Sequence, residues 1–208
     1  MKTISAMLAV ISFFIFINTA CDEEINDNNK EILTLAALSG SPATHLRLYN
    51  AGLHDGNLGG RSGADTICAN SLNKPAGASN VHAFLSIDNV DDEMRDMQNS
   101  YGYPTDFAIY SPDGMVKIAD DWADLMDTTI DTTLYSAGVL PNSSVWWSGS
   151  NQDGSWGNSF GNCSGFSTAA SGGPQSHCGD STGSDWRWLA GYVENCDGAY
   201  YVVCICEK

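Results

Sequence analysis

Ser159 stands in Gly157-Asn-Ser-Phe-Gly161, the Gly-x-Ser-x-Gly spacing that presents the nucleophile of many serine hydrolases. That device needs a strand running into the serine and a helix leaving it. The surrounding run DGSWGNSFGNCSGF offers neither, so Ser159 reads as a loop serine. The bases available are His45, His54, His82 and His177. His54 precedes Asp55, but neighbours in sequence rarely face one another, and no triad or carboxylate dyad can be assembled from spacing alone. No enzyme is expected. Hard oxygen ligands are better represented. SNQDGSWGN sets Asn151, Asp153 and Asn158 in one loop, which suits calcium. No EF-hand pattern is present, and NQDG is equally the composition of a tight turn. No metal or cofactor is therefore expected, with calcium as the alternative.

Cysteine chemistry is the stronger signal. The seven are Cys21, Cys68, Cys163, Cys178, Cys196, Cys204 and Cys206. In the terminal run AYYVVCICEK, a strand would point Cys204 and Cys206 to one face. There is no Cys-x-x-Cys pair, so disulfides are favoured over a zinc site. The other end explains the odd count. Lys2, the apolar run from Ala6 to Ile17, and Thr19-Ala20 before Cys21 predict a bacterial lipoprotein signal over residues 1–20, with Cys21 acylated. Asn18 departs from that pattern, where Leu is usual. Export favours disulfides. With Cys21 lipidated, six cysteines remain for three bridges, and their number alone leaves 15 pairings open.

Residues 21–40 read as an acidic, flexible tether and 41–208 as one domain large enough for a core. The net charge of −16 disfavours nucleic acid and anionic lipid surfaces as partners. THLRLYN predicts a first strand. SGADTICANSL predicts a helix opened by a Ser62/Asp65 capping box, with Ala64, Ile67, Cys68 and Leu72 on one face. NVHAFLSI predicts a strand, and DDEMRDMQ a short helix turning Val90, Met94 and Met97 inward. FAIYSPDGMVKIA predicts a hairpin around Pro-Asp-Gly, and DDWADLMD a short helix burying Trp122, Leu125 and Met126. From Ser136 to Ser184 periodicity gives way to Gly, Ser and Asn, a length of irregular chain that is usually functional when ordered. DWRWLAG and AYYVVCIC close with two strands, the last apolar enough to be central.

GGRSGADTICANS, HAFLS, SVWWSGSNQDG, NC and AYYVVCI, in that order from about His45 to the C-terminus, resemble the endostatin domain of collagen. They are closer to the endostatin-like lipoproteins of bacterial surfaces. The resemblance implies an α+β, C-type-lectin-like fold in which the terminal strands lie together beneath a long disulfide-stapled loop region. It implies a bridge from Cys68 to Cys204, with Cys163–Cys196 nested inside it. The leftover Cys178 and Cys206 would then form a third bridge, although an exchange of partners between Cys204 and Cys206 stays open. His45 matches a zinc ligand of animal endostatin, but the cluster's other histidines fall on Leu35 and Ala37. The basic heparin-binding surface is reduced to Arg47, Arg61, Arg95 and Arg187 among many carboxylates.

The tryptophans of the C-terminal half remain as contact candidates. Trp146 and Trp147 would point to opposite faces of a strand, leaving one exposed. The expected binding residues are Trp147, Asn151, Asp153 and Trp156. The reading as a whole is an exported, lipid-anchored binding protein whose ligand is an extracellular or host protein. The alternative is a lectin-like glycan-binding module that uses calcium.

Overall fold

The apolar run at the C-terminus forms strand β8 (Tyr200–Glu207), and the sheet is assembled around it. β1 (Leu46–His54) pairs antiparallel along one edge, with Leu48 opposite Ile205 and Tyr49 opposite Cys204. Two strands share the other edge. β2 (Ser79–Ala83) runs antiparallel beside the end of β8, and β5 (Val145–Trp147) lies parallel to its start, Trp146 level with Tyr201. β3 (Ile109–Tyr110) and β4 (Lys117–Ala119), the expected hairpin, extend the sheet beyond β1. β6 (Gln175–Asp180) and β7 (Tyr192–Asn195) extend it beyond β5. The helices are α1 (Gly60–Asn70), α2 (Met97–Tyr101) after a 3-10 turn at Met94–Asp96, α3 (Trp122–Leu125), α4 (Cys163–Phe166) and α5 (Arg187–Ala190). This computed structural model describes residues 43–208, apart from Asn89, Asp91, Ser159 and Phe160. The signal over 1–20, Cys21 and the tether over 21–40 lie outside the described residues. The result is a mixed α/β chain with a mostly sheet core.

Alternation along β8 sorts the interior into two layers. Val203 and Ile205 join Leu46, Leu48, Phe84, Trp122, Trp146 and Trp188 on one face. Val202, Cys204 and Cys206 join Tyr49, Cys68, Ala83, Trp147 and Phe166 on the other. Trp146 and Trp147 therefore do point to opposite faces, yet both faces are covered and both side chains are 0% exposed. The expected exposed member of that pair does not exist, and Trp147 is a core residue. Its indole N–H donates to the His54 carbonyl at 2.8 Å.

Cys68 bonds Cys204 and Cys163 bonds Cys196. The third bridge is corrected: Cys178 and Cys206 are both free and buried. Register explains it. Cys178 lies opposite Trp147 on β5, whose neighbour Trp146 is level with Tyr201 on β8. Cys206 is thus two strands across and four residues along, roughly 10 Å by 13 Å away at ordinary strand spacings. A disulfide needs Cα atoms about 4.4–6.8 Å apart. The Cys163 bridge has a different task. Cys163, Ser164, Gly165 and Phe166 have φ of 53°, 55°, 70° and 54°, so α4 is a left-handed turn. Such a turn costs about 1–2 kcal/mol per non-glycine residue. The bridge, the Asn162 side chain accepting from Gly165 N–H, and Phe166 buried against Trp147 hold it in place.

Four local expectations fail for identifiable reasons. Leu72 lies past the end of α1 and is fully exposed instead of on its buried face. α1 starts two residues early, on Gly59 in the left-handed region, with no side-chain cap. Asp65 is not in a capping box. Its carboxylate accepts from the Ala83 amide at 2.9 Å and meets His82 Nδ1 at 3.0 Å, tying α1 to β2. Val90 is exposed, whereas Met94 and Met97 are buried as expected. DWRWLAG is helical over Arg187–Ala190, and its strand begins only at Tyr192.

Burial alone would raise the Asp65 carboxyl, but the bonds from His82 and the Ala83 amide, with the Arg61 charge, outweigh it and hold the group below its usual value. A depressed folded value makes the contribution of Asp65 fully present above its unfolded pKa of about 4, and lost as pH falls through the folded one. Asp65→Asn is expected to lower stability at neutral pH and to flatten the acid limb of the stability profile. Urea unfolding of both proteins from about pH 6 to pH 2 checks it; parallel acid limbs would count against this role.

Candidate functional site

The irregular stretch after β5 is built on a rigid support. Gly154 takes φ 75°, and a Cβ there would meet Met126 Sδ at 2.6 Å and Arg95 Cβ at 3.1 Å, so the turn packs directly on the 3-10 segment. Arg95 N–H donates to the Gly154 carbonyl at 3.1 Å, and Trp156 N–H to Glu93 Oε1 at 3.1 Å. Inside the turn, Asn151 N–H donates to the Ser155 carbonyl at 2.8 Å. The Asn151 carboxamide donates to Ser155 Oγ at 3.1 Å and to the Trp156 carbonyl at 3.0 Å. Asn151 and Asp153 thus do share one loop, chiefly because each satisfies that loop's own backbone.

Asp153 is the charged group of the turn. Its Oδ1 accepts from the Ser155 amide at 3.1 Å and hydroxyl at 2.5 Å, while Oδ2 faces Arg95 at 3.5 Å. Partial burial pulls the carboxyl up, but the Ser155 bonds and the Arg95 charge prevail and keep it below the usual range. It is an anion at neutral pH.

Facing this turn are Thr128 and the start of α5. Together Thr128, Asn151, Gln152, Asp153, Ser155, Trp186 and Ala190 line an open groove of about 440 Å³. Trp186 is 46% exposed and forms its apolar wall. The wall is fixed from below, because Trp188, two residues on, is fully buried against Phe84 and Trp146. Residues two apart on a helix point to opposite sides, so burying one presents the other. Ile130 N–H donates to the Ser184 carbonyl at 3.0 Å, joining the Thr128 side of the groove to the α5 side. Thr128 has φ 84°, an outlier for a β-branched residue, and such strain gathers where a site must keep a set geometry.

Of the expected contact residues, Asn151 and Asp153 line the groove; Trp147 and Trp156 do not. Trp156 is half-buried, and its indole N–H has no acceptor among the described residues. Thr128, Gln152, Ser155, Trp186 and Ala190 were missing from the expected contact residues. Trp186 could have been found by reading DWRWLAG with helical instead of strand periodicity. Thr128 carries no local signal, since its place is set by packing.

The lining offers an aromatic face, one carboxylate, amides and hydroxyls, but no histidine or cysteine. Such a set can stack against an apolar face and hydrogen-bond to polar groups. Ser159 lies outside the described residues. Trp156, before it, belongs to an isolated bridge, and the turn after it is the left-handed α4, which is not the frame of a nucleophile elbow. Acidic groups converge elsewhere: Asp120, Asp124 and Asp131 have oxygens within 4.8 Å of one another. Lys117 Nζ already supplies positive charge there, pairing with Asp120 and, at 3.2 Å, with Asp131. His45 accepts from Arg47 Nε at 2.9 Å and packs its ring edge-on to Tyr110. Comparison with models of protein families and with curated proteins finds no match to this chain.

Proposed function

We propose that this chain is an exported, lipid-anchored surface protein whose endostatin-like, C-type-lectin-like domain binds an extracellular protein and does no catalysis. The observation that carries the reading is the groove itself: a half-exposed Trp186 opposite a carboxylate and amides, all mounted on a hydrogen-bonded frame. Aromatic anchors beside polar groups are the usual centre of protein-binding surfaces. Antiparallel pairing of β1 with β8 and the two nested bridges support the fold reading. A glycan is the second reading, favoured by the same indole, since sugar rings stack on exposed aromatic faces. Calcium at Asn151 and Asp153 draws less support, because both Asp153 carboxylate oxygens are already engaged, one by Ser155 and the other by Arg95.

Trp186→Ala separates these readings from a structural one. With the side chain 46% exposed, the fold should tolerate the change. Loss of an aromatic anchor typically costs about 2 kcal/mol or more of binding, or roughly 30-fold in affinity. Purified extracellular-matrix and plasma proteins, immobilised beside a glycan array, are the probes. Protein binding that falls about 30-fold in the variant is the expected result. Binding to glycans alone would select the second reading, and unchanged protein binding would remove the groove from the first.

A further inference from the structure

Among the described residues, β7 pairs only with β6, and no strand pairs with its outer edge. Cys196 N–H donates to the Pro174 carbonyl, and Ser176 pairs with Glu194 and Cys178 with Tyr192 in the same register. Antiparallel ladders alternate hydrogen-bonded and non-bonded pairs, so Tyr192 and Glu194 turn their backbone groups toward β6 while Val193 and Asn195 turn theirs away. The other side of β6 agrees: His177 N–H donates to Gly161, and its carbonyl accepts from Ser148 and Gly149. The Asn195 carbonyl is taken by the turn to β8, at 3.0 Å from Gly198 N. Val193 N–H, Val193 C=O and Asn195 N–H are left facing out of the sheet, with no bond to them among the described residues. Around them Tyr192 is 43% and Val193 55% exposed, and the strand follows directly on α5 and Trp186.

We propose that β7 is a strand-addition site that takes up an extended, basic segment of a protein partner. Three main-chain bonds would fix the segment, with Tyr192 and Val193 contacting side chains on its two faces. Basic character follows from the surroundings. Tyr192 O–H reaches Asp180, and Glu194 lies within the strand with its carboxylate accepting from Tyr200 O–H. Asp197 follows the strand, and Asp185 is paired with Arg187, the only cation among them. A second copy of this chain is the poorer occupant, because each carries a net charge of −16. This inference rests on the reading that the ligand is a protein.

The probe is a synthetic peptide of alternating lysine and valine, titrated into the full-length chain and followed by amide hydrogen exchange. Expected are saturable binding, at least tenfold slower exchange at Val193 and Asn195, and no binding of a glutamate–valine peptide. The lysine–valine peptide N-methylated at alternate residues, which cannot complete the ladder, should bind at least tenfold more weakly. Val193→Pro should weaken binding as much, since it deletes an outward donor without touching the β6 ladder, whereas Val193→Thr should preserve it. The methylated peptide keeps the test independent of how Val193→Pro folds. Equal binding of the two lysine–valine peptides, no binding at all, protection at Asn151–Ser155 instead of β7, or self-association through β7 would each overturn the proposal. If the peptide fails while Trp186→Ala still abolishes protein capture, the edge inference falls and the groove reading stands. If the peptide binds β7 and Trp186→Ala changes nothing, the reverse holds.

Discussion

Gly179→Ala is expected to cost the domain about 3–5 kcal/mol, far more than a single methyl group normally does. Gly179 lies on β6 opposite Trp146, and the Trp146 indole donates to the Trp188 carbonyl at 3.1 Å directly above it. A Cβ at this position would fall well inside contact distance of both the Trp188 carbonyl oxygen and the Trp146 indole nitrogen. Neither can yield. One is backbone of α5, and the other is a fully buried side chain. Relief requires lifting α5 from β6, which parts Trp188 from Trp146 and Phe84 (ring centroids 6.1 and 6.2 Å) and opens the core. Gly173→Ala is the matched control, since nothing lies within 4 Å of a Cβ there. It should change stability by no more than about 0.5 kcal/mol. Denaturant unfolding of the two variants decides; equal midpoints would mean that α5 does not rest on Gly179. Because Trp186 rides on the same helix, any folded fraction of Gly179→Ala should also bind ligand poorly.

That dependence also shows what could be read from the sequence and what could not. The order of the central elements was legible: the first strand, the cysteine-bearing helix, the Pro-Asp-Gly hairpin and an apolar last strand all have strong local patterns. Local patterns also misled. Ser62 and Asp65 have capping-box spacing, yet Asp65 is drawn to His82 and the Ala83 amide across the fold. DWRWLAG alternates like a strand, but Trp188 has a deep site between Phe84 and Trp146 that only a helix reaches. Trp147 looked like a contact residue because alternation gives two faces; no pattern says that both faces will be covered. Two of the seven residues that line the groove were accessible to reasoning, because Asn151 and Asp153 sit in a turn-forming run. Thr128 and the outer edge of β7 depend on which elements become neighbours, and that is set by the sheet order.

Removing the Cys68–Cys204 bridge, by replacing both residues with alanine, is expected to cost about 5 kcal/mol, and removing Cys163–Cys196 about 4 kcal/mol. The chain-entropy relation gives these values for separations of 136 and 33 residues. The order survives nesting. With the inner bridge intact, the outer loop shortens to an effective 136 − 33 = 103 residues, still worth about 4.7 kcal/mol. The two losses should differ in kind as well. The outer bridge fastens α1 to the central strand, so its loss should lower the stability of the whole domain. The inner one fastens the left-handed turn, so its loss should release α4 and Phe166 first, seen as fast amide exchange there before global unfolding. Thiol accounting completes the test. Burial pushes Cys206 up to about 12 and Cys178 well above its ordinary value, so both stay protonated, shielded and unreactive in the folded chain. Alkylation should label neither in the native state, both after unfolding without reductant, and all six cysteines of the domain only after reduction. If unfolding without reductant exposes no thiol, a third bridge exists and the register argument separating Cys178 from Cys206 is wrong.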